Sequence, residues 1–148
     1  MHSPVGDLTL FAEDELIVAL EWGWGSLQAP TPLLYRVKSA LDDYFDRKAP
    51  LPSDLPLNPG GTAYRQLVWA ALRAIPHGQT RSYAEIAAQV GGSPRSVGGA
   101  NAANPIPILI PCHRVCAASG LGGYSAGDGV ETKRLLLALE AEIKGGQA

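Results

Sequence analysis

The sequence predicts an α+β protein within the broad α/β class: a small N-terminal β-sheet with one helix, then a mainly helical unit containing a helix-turn-helix. Three observations predict it. Two short β-type runs open the chain, amphipathic helical stripes fill most of the remainder, and a stretch rich in proline and glycine separates the two parts. With 148 residues, 46% hydrophobic and 18% charged, the chain is globular and can build a core. The division is placed after residue 56, giving a supporting unit 1–56 and a second unit 57–148.

Leu8–Ala12 and Leu16–Trp22 read as strands around the acidic turn Glu13-Asp14-Glu15. Thr31 before Pro32 is an N-cap followed by an N1 proline, and Leu33, Leu34, Val37, Leu41, Tyr44 and Phe45 then recur at helical spacing. Ala49–Gly61, with four prolines and two glycines, reads as a linker. Thr62 caps the next helix, whose stripe is Tyr64, Leu67, Val68, Ala71, Leu72 and Ile75; Pro76-His77-Gly78 stops it. Ser82-Tyr83-Ala84-Glu85 fits a capping box opening a short helix to Val90. Gly91-Gly92 turns the chain, and Ser93-Pro94 starts another short helix with Arg95 in its first turn. Helix, glycine turn and helix in this space outline a helix-turn-helix. Three prolines between Pro105 and Pro111 forbid a regular helix, so this apolar segment is expected to be extended and buried, delivering Cys112 at its end. A glycine-rich loop around Tyr124 and Ser125 follows, then a last helix, Val130–Ile143, apolar at Leu135, Leu136, Leu139 and Ile143.

Charge is uneven. The net charge of −2 divides into −5 over residues 1–61, +4 over 62–115 and −1 over 116–148. The basic segment owes its charge to Arg65, Arg73, Arg81, Arg95 and Arg114, side chains suited to phosphate forks. The longest apolar run, Ile106–Pro111, is too short to span a bilayer, and Asp7 close behind Met1 does not fit a signal peptide. Cys112 and Cys116 cannot form a disulfide framework. The expectation is a cytoplasmic protein with reduced thiols and no membrane partner.

Cys112 is the candidate nucleophile. A free thiol ionises near pH 8.5, so it needs a base, and the base needs an orienting group. His113 and Glu140 are the candidates. Neighbours in an extended strand point apart, so a Cys112–His113 contact requires a turn or a bridging water. A buried structural thiol, a core histidine and a solvated glutamate are the alternatives for these three residues. A metal site is not expected: Cys112, His113 and Cys116 lack a fourth ligand at zinc spacing.

Asn104-Pro105-Ile106-Pro107-Ile108-Leu109-Ile110-Pro111-Cys112-His113-Arg114-Val115 resembles the active-site signature of the O6-alkylguanine-DNA alkyltransferases. The resemblance extends through Ile75–Tyr83, Arg95–Ala100, Gly123-Tyr124-Ser125 and Leu135–Glu140, covering residues 62–143 well and residues 3–22 weakly. It implies a winged-helix-like DNA-binding unit that binds double-stranded DNA containing alkylated guanine and acts as a monomer without a cofactor. Cys112 would accept the alkyl group, His113 would take the thiol proton through a water, and Glu140 would hold the imidazole. Asn104 would brace the turn presenting the cysteine. Tyr83 would protonate the leaving guanine and help rotate the nucleotide, and Arg95 would fill the vacated stack, with Ser93, Ser96 and Arg114 also on the DNA face. Pro107, the main chain of Cys112 and Val115, Tyr124 and Ser125 would line the pocket. The helix-turn-helix would enter the minor groove.

Tyr64 stands where the family commonly has phenylalanine; the loop from Cys112 to Tyr124 is one residue shorter than usual, and the loop after Ser125 about two longer. Cys116 has no assigned role. A lesion sensor that binds without transfer, and a regulator whose DNA affinity responds to alkylation, are the competing functions.

Overall fold

The computed structural model describes residues 1–25, 29–124 and 126–146, with side chains described as far as Glu142. The chain opens with an antiparallel hairpin of β1 (Leu8–Glu13) and β2 (Leu16–Trp22), with a bulge between Phe11 and Ala12. Asp14 and Glu15 both have positive φ, 51° and 63°, the pairing that matches a two-residue turn to the strands' right-handed twist. Helix α1 (Pro32–Arg47) starts as the sequence reads: Thr31 Oγ1 accepts from the Leu34 amide, and Pro32 follows it. Leu33, Val37, Leu41, Tyr44 and Phe45 face the core.

The segment expected to be a linker is stitched to β2. The Ile17 amide donates to Pro56 O (2.9 Å), the Asn58 amide donates to Ile17 O (2.8 Å), and Leu55 is buried. Prolines cannot donate, but their carbonyls accept, so this proline-rich chain runs along a strand edge.

Helix α2 (Ala63–Arg73) is capped by Thr62. It ends three residues before Pro76, because a residue preceding proline is pushed out of the helical region. Its buried face is Val68, Trp69, Ala71 and Leu72, whereas Leu67, expected in the stripe, is 55% exposed. Trp69 takes the inward place, and its Nε1 donates to Ala100 O at 2.9 Å. After the two-residue strand β3 (Arg81–Ser82) come α3 (Tyr83–Val90) and α4 (Pro94–Ala102). Both carry two-armed capping boxes, Ser82 with Glu85 and Ser93 with Ser96. Gly91 (φ 95°) and Gly92 (φ 82°) make the turn between them. Tyr64 closes this turn: its hydroxyl donates to Gly91 O (3.0 Å) and lies 2.8 Å from Ser96 Oγ, a contact phenylalanine could not make.

The apolar segment before Cys112 is buried as expected but is not extended. The Leu109 amide reaches Pro107 O, the Ile110 amide reaches Ile106 O, and Ile108 sits at φ 73°. The prolines exclude a helix without dictating a strand, and Asn104 supplies the missing ladder: its Nδ2 donates to Ile110 O (2.8 Å) and its Oδ1 accepts from the Ile106 amide (2.9 Å). A 3-10 turn, Cys112–Arg114, leads into β4 (Val115–Cys116), which pairs in parallel with β3. Helix α5 (Val130–Gly146) closes the chain. Leu136 is buried on it, while Leu135 is 55% exposed; the Ile143 side chain lies outside the described residues. One continuous core joins residues of the hairpin and α1 to those of α2–α5. No described helix is long and apolar enough to cross a membrane.

Candidate active site and nucleic-acid interface

The 3-10 turn solves the geometry that an extended strand could not. It buries Cys112 and His113 side by side in sequence but lets their side chains serve different neighbours. His113 is fully buried, and its Nε2 lies 2.6 Å from Glu140 Oε2. Burial opposes ionisation of Glu140, yet the hydrogen bonds and charges of His113 and Arg114 win and hold its carboxyl well below the usual range. An ionised carboxylate only accepts, so Nε2 carries the hydrogen and Nδ1 is the basic nitrogen. Nδ1 has no protein partner. Burial also lowers the His113 pKa, against the pull of Glu140, keeping the ring neutral and able to accept a proton.

Burial pushes the Cys112 thiol up, opposed by hydrogen bonds from Asn104, its own amide and Tyr124, and by the Lys133 charge. The resting thiol is therefore protonated and needs a base. It opens on a cavity of about 280 Å³. Tyr83 from α3, Gly98, Asn101 and Ala102 from α4, and Gly123 and Tyr124 from the glycine-rich loop form the remaining wall. Asn101 Nδ2 donates to Cys112 O at 3.2 Å. Tyr83 is half-buried, and burial first, then the neighbouring thiols, raises its pKa, so it keeps its proton. Tyr124 is held neutral in the same way, by burial and by Cys112.

Several expected residues are placed differently. Arg114, expected on the DNA face, is 7% exposed: Nε donates to Glu140 Oε1 (2.8 Å), NH2 to Glu140 Oε2 (3.0 Å) and NH1 to Ile75 O (2.8 Å). A buried carboxylate left without a countercharge would be strongly destabilising, and Arg114 supplies that charge to Glu140, so this guanidinium is absent from the basic surface. Pro107 and Val115 are buried but do not line the cavity, and Ser125 lies outside the described residues. Arg95, at the second position of α4, is exposed. Ser93 and Ser96 are exposed too, with their hydroxyls engaged in the cap. Cys116 is partly buried on β4.

Sequence reasoning missed three residues. Asn101 is one. Lys133 is another: it is fully buried, and its Nζ donates to Val115 O (2.6 Å), Gly123 O (3.2 Å) and Leu121 O. Lys133, Leu136 and Glu140 share one helical face, a polar pattern on an apolar stripe that could have signalled it. Tyr44 is the third, donating to Glu140 Oε2 at 2.6 Å across 96 residues of sequence, where no local pattern could show it.

A buried thiol–imidazole–carboxylate set opening beside the second helix of a helix-turn-helix defines a DNA-binding protein with a nucleophilic cysteine. The family model described as the DNA-binding domain of 6-O-methylguanine DNA methyltransferase matches residues 63–142. The methylated-DNA–protein-cysteine methyltransferase of Mycobacterium bovis is 56% identical over 150 residues, covering 95% of this chain and 89% of that protein. The one from Metallosphaera sedula is 43% identical over 144 residues, covering 95% of this chain and 90% of that protein. Among solved structures, Mycobacterium tuberculosis OGT in complex with DNA superposes with a TM-score of 0.84 at 41% identity, covering 96% of this chain and 91% of that one. The chain belongs to the O6-methylguanine-DNA methyltransferase family.

Proposed function

We propose that this protein repairs O6-alkylguanine in double-stranded DNA by moving the alkyl group to Cys112. It is a methylated-DNA–protein-cysteine methyltransferase acting by direct reversal. The observation that carries Cys112 as acceptor is its place on the cavity wall, backed by the buried His113–Glu140 pair and faced by Tyr83.

The damaged oxygen lies inside the duplex, so the nucleotide must rotate into the cavity while the gap is filled. Exposed Arg95 is the side chain assigned to the gap, since guanidinium both stacks and pairs with phosphate. The Cys112 proton passes through a water to His113 Nδ1, and Glu140 stabilises the imidazolium that forms. The thiolate attacks the alkyl carbon, an S–C bond forms, and the C–O6 bond breaks with its electron pair going to guanine. Tyr83 donates its proton to the departing base. Asn104 braces the turn that presents the thiol, and Tyr124 shapes the pocket. The product thioether resists water, unlike an acyl thioester, so each molecule acts once. O4-alkylthymine presents the same alkyl–oxygen bond and is the second substrate. Residues 57–148 carry this chemistry as a monomer in the cytoplasm, with 1–56 in support.

Intact mass after incubation with a duplex containing O6-methylguanine tests the assignment. The expected result is a gain of one methyl mass on Cys112 that stops at one equivalent and is lost in Cys112→Ala, which still binds DNA. Lesion binding without any mass gain would overturn it in favour of a sensor.

A further inference from the structure

We infer that Tyr44, on the N-terminal helix, is a positioning residue for alkyl transfer: its hydroxyl sets how strongly Glu140 pulls on His113, making the N-terminal unit part of the active site. The inference rests on the proposed proton path from Cys112 to His113.

The geometry is specific. Glu140 is fully buried and accepts from four donors: Tyr44 OH (2.6 Å) and His113 Nε2 (2.6 Å) on Oε2, with Arg114 NH2 (3.0 Å) also on Oε2 and Arg114 Nε (2.8 Å) on Oε1. Tyr44 and His113 thus share one oxygen. Each donor that Oε2 accepts draws charge from it and weakens the pull on the next. With Tyr44 in place, Glu140 orients the ring without holding it as imidazolium, so Nδ1 remains basic and unprotonated at rest. Without that hydroxyl, Oε2 would pull harder on Nε2–H and favour the imidazolium.

Tyr44 is well placed to hold this contact. It is fully buried, packs edge-on against Phe45 and His77 (centroids 5.2 and 5.8 Å), and keeps its own proton because burial and Glu140 both raise its pKa. One turn further along, Lys48 Nζ lies 3.4 Å from Glu142 Oε2, tying the end of α1 to α5. The other groups bearing on His113 are Arg114 from the 3-10 turn, His77 from the loop after α2, and Lys133 from α5. All are cationic or neutral and none shares Oε2 except Arg114, so the Tyr44 hydroxyl is the neutral donor that tunes this oxygen.

The test is the pH dependence of single-turnover alkyl transfer from free O6-benzylguanine, which needs no DNA. Tyr44→Phe keeps the ring packing and removes only the hydroxyl. Its acid limb should move upward by about half to one pH unit, so the rate well below the limb falls by about three- to tenfold and the loss shrinks at pH 8.5. Site-specific 3,5-difluorotyrosine at position 44, a stronger donor of similar shape, should move the limb the opposite way and keeps the test available if Tyr44→Phe folds poorly. Thr31→Ala, which removes the α1 N-cap remote from Glu140, should lower stability but leave the limb in place. Superimposable limbs in wild type and both Tyr44 variants would overturn the inference. Failure of the wild-type protein to gain the benzyl group would instead overturn the proposed function.

Discussion

A buried ammonium without a carboxylate partner is costly unless its protons are used, and Lys133 uses three carbonyls: Val115 O, Leu121 O and Gly123 O. Burial lowers its pKa, while the neighbouring thiols Cys116 and Cys112 pull it back up. The side chain does two things at once. It gathers the strand that follows Cys112 and the loop leading to Tyr124 onto α5, and it sets a positive charge near the Cys112 thiol. Replacing it with methionine preserves length and removes all three bonds. The expected cost is about 3 kcal/mol of stability, since three buried carbonyls lose a charged donor. Urea denaturation checks this figure. Alkyl transfer should fall further than the stability loss accounts for, because the Tyr124 side of the cavity opens and the thiolate loses a cation. A variant as stable as wild type would show that the carbonyls find other donors.

Among the elements, the α3–turn–α4 unit requires glycine at position 92. A Cβ on Gly92 would lie 2.5 Å from both Ser96 Oγ and the Tyr64 hydroxyl, and φ is 82°. Gly92→Ala must therefore strain the backbone and break the Tyr64 clamp together, costing about 2–4 kcal/mol. DNA affinity should fall with it, as α4 loses its fixed angle to α3. Gly99 is the contrast: it lies inside α4, is exposed, and a Cβ there meets nothing within 4 Å. Gly99→Ala should raise stability by about 0.5–1 kcal/mol through helix propensity. Thermal melts of the two variants check both signs. These same elements show what sequence can carry. Caps are local, so Thr31, Thr62, Ser82 and Ser93 were all legible. The Cys112–His113 pair was legible because its signature is contiguous, while Glu140, 27 residues on, was legible as their partner only through the family resemblance. The inward turn of Trp69 in place of Leu67 and the burial of Arg114 depend on partners distant in sequence, whereas the folding back at Ile108 is held locally by Asn104. Proline content says where a helix cannot run, not which way the chain turns.

For the whole molecule, the consequence of burying these polar groups is a stability that depends on pH in a defined direction. His113 and His77 both have lowered pKa values, chiefly through burial, and Glu140 is lowered by His113 and Arg114 against its own burial. A group whose folded pKa lies below its unfolded value binds more protons when unfolded, so acid favours unfolding through that window. For the histidines the window opens at their unfolded pKa of about 6.5 and runs downward; for Glu140 it opens at about 4.3. The groups with raised pKa values act on the other side: Cys112 would ionise when unfolded at about pH 8.5, and Tyr44 at about 10, so stability is lost as pH rises past those values. The urea midpoint, followed by tryptophan fluorescence, should therefore be highest between about pH 6.5 and 8.5. Below that range the midpoint should fall, as the unfolding free energy drops by as much as about 1.4 kcal/mol per pH unit for each histidine that protonates only on unfolding. His77→Phe keeps an aromatic ring against Tyr44 and removes one of the two, so its acid slope should be shallower while its midpoint at pH 7.5 stays near wild type. A midpoint that rises from pH 7.5 to 5 in the wild-type protein would mean that the fold holds His113 as imidazolium. That result would count against His113 as the base as well, since a ring already protonated at rest cannot accept the Cys112 proton.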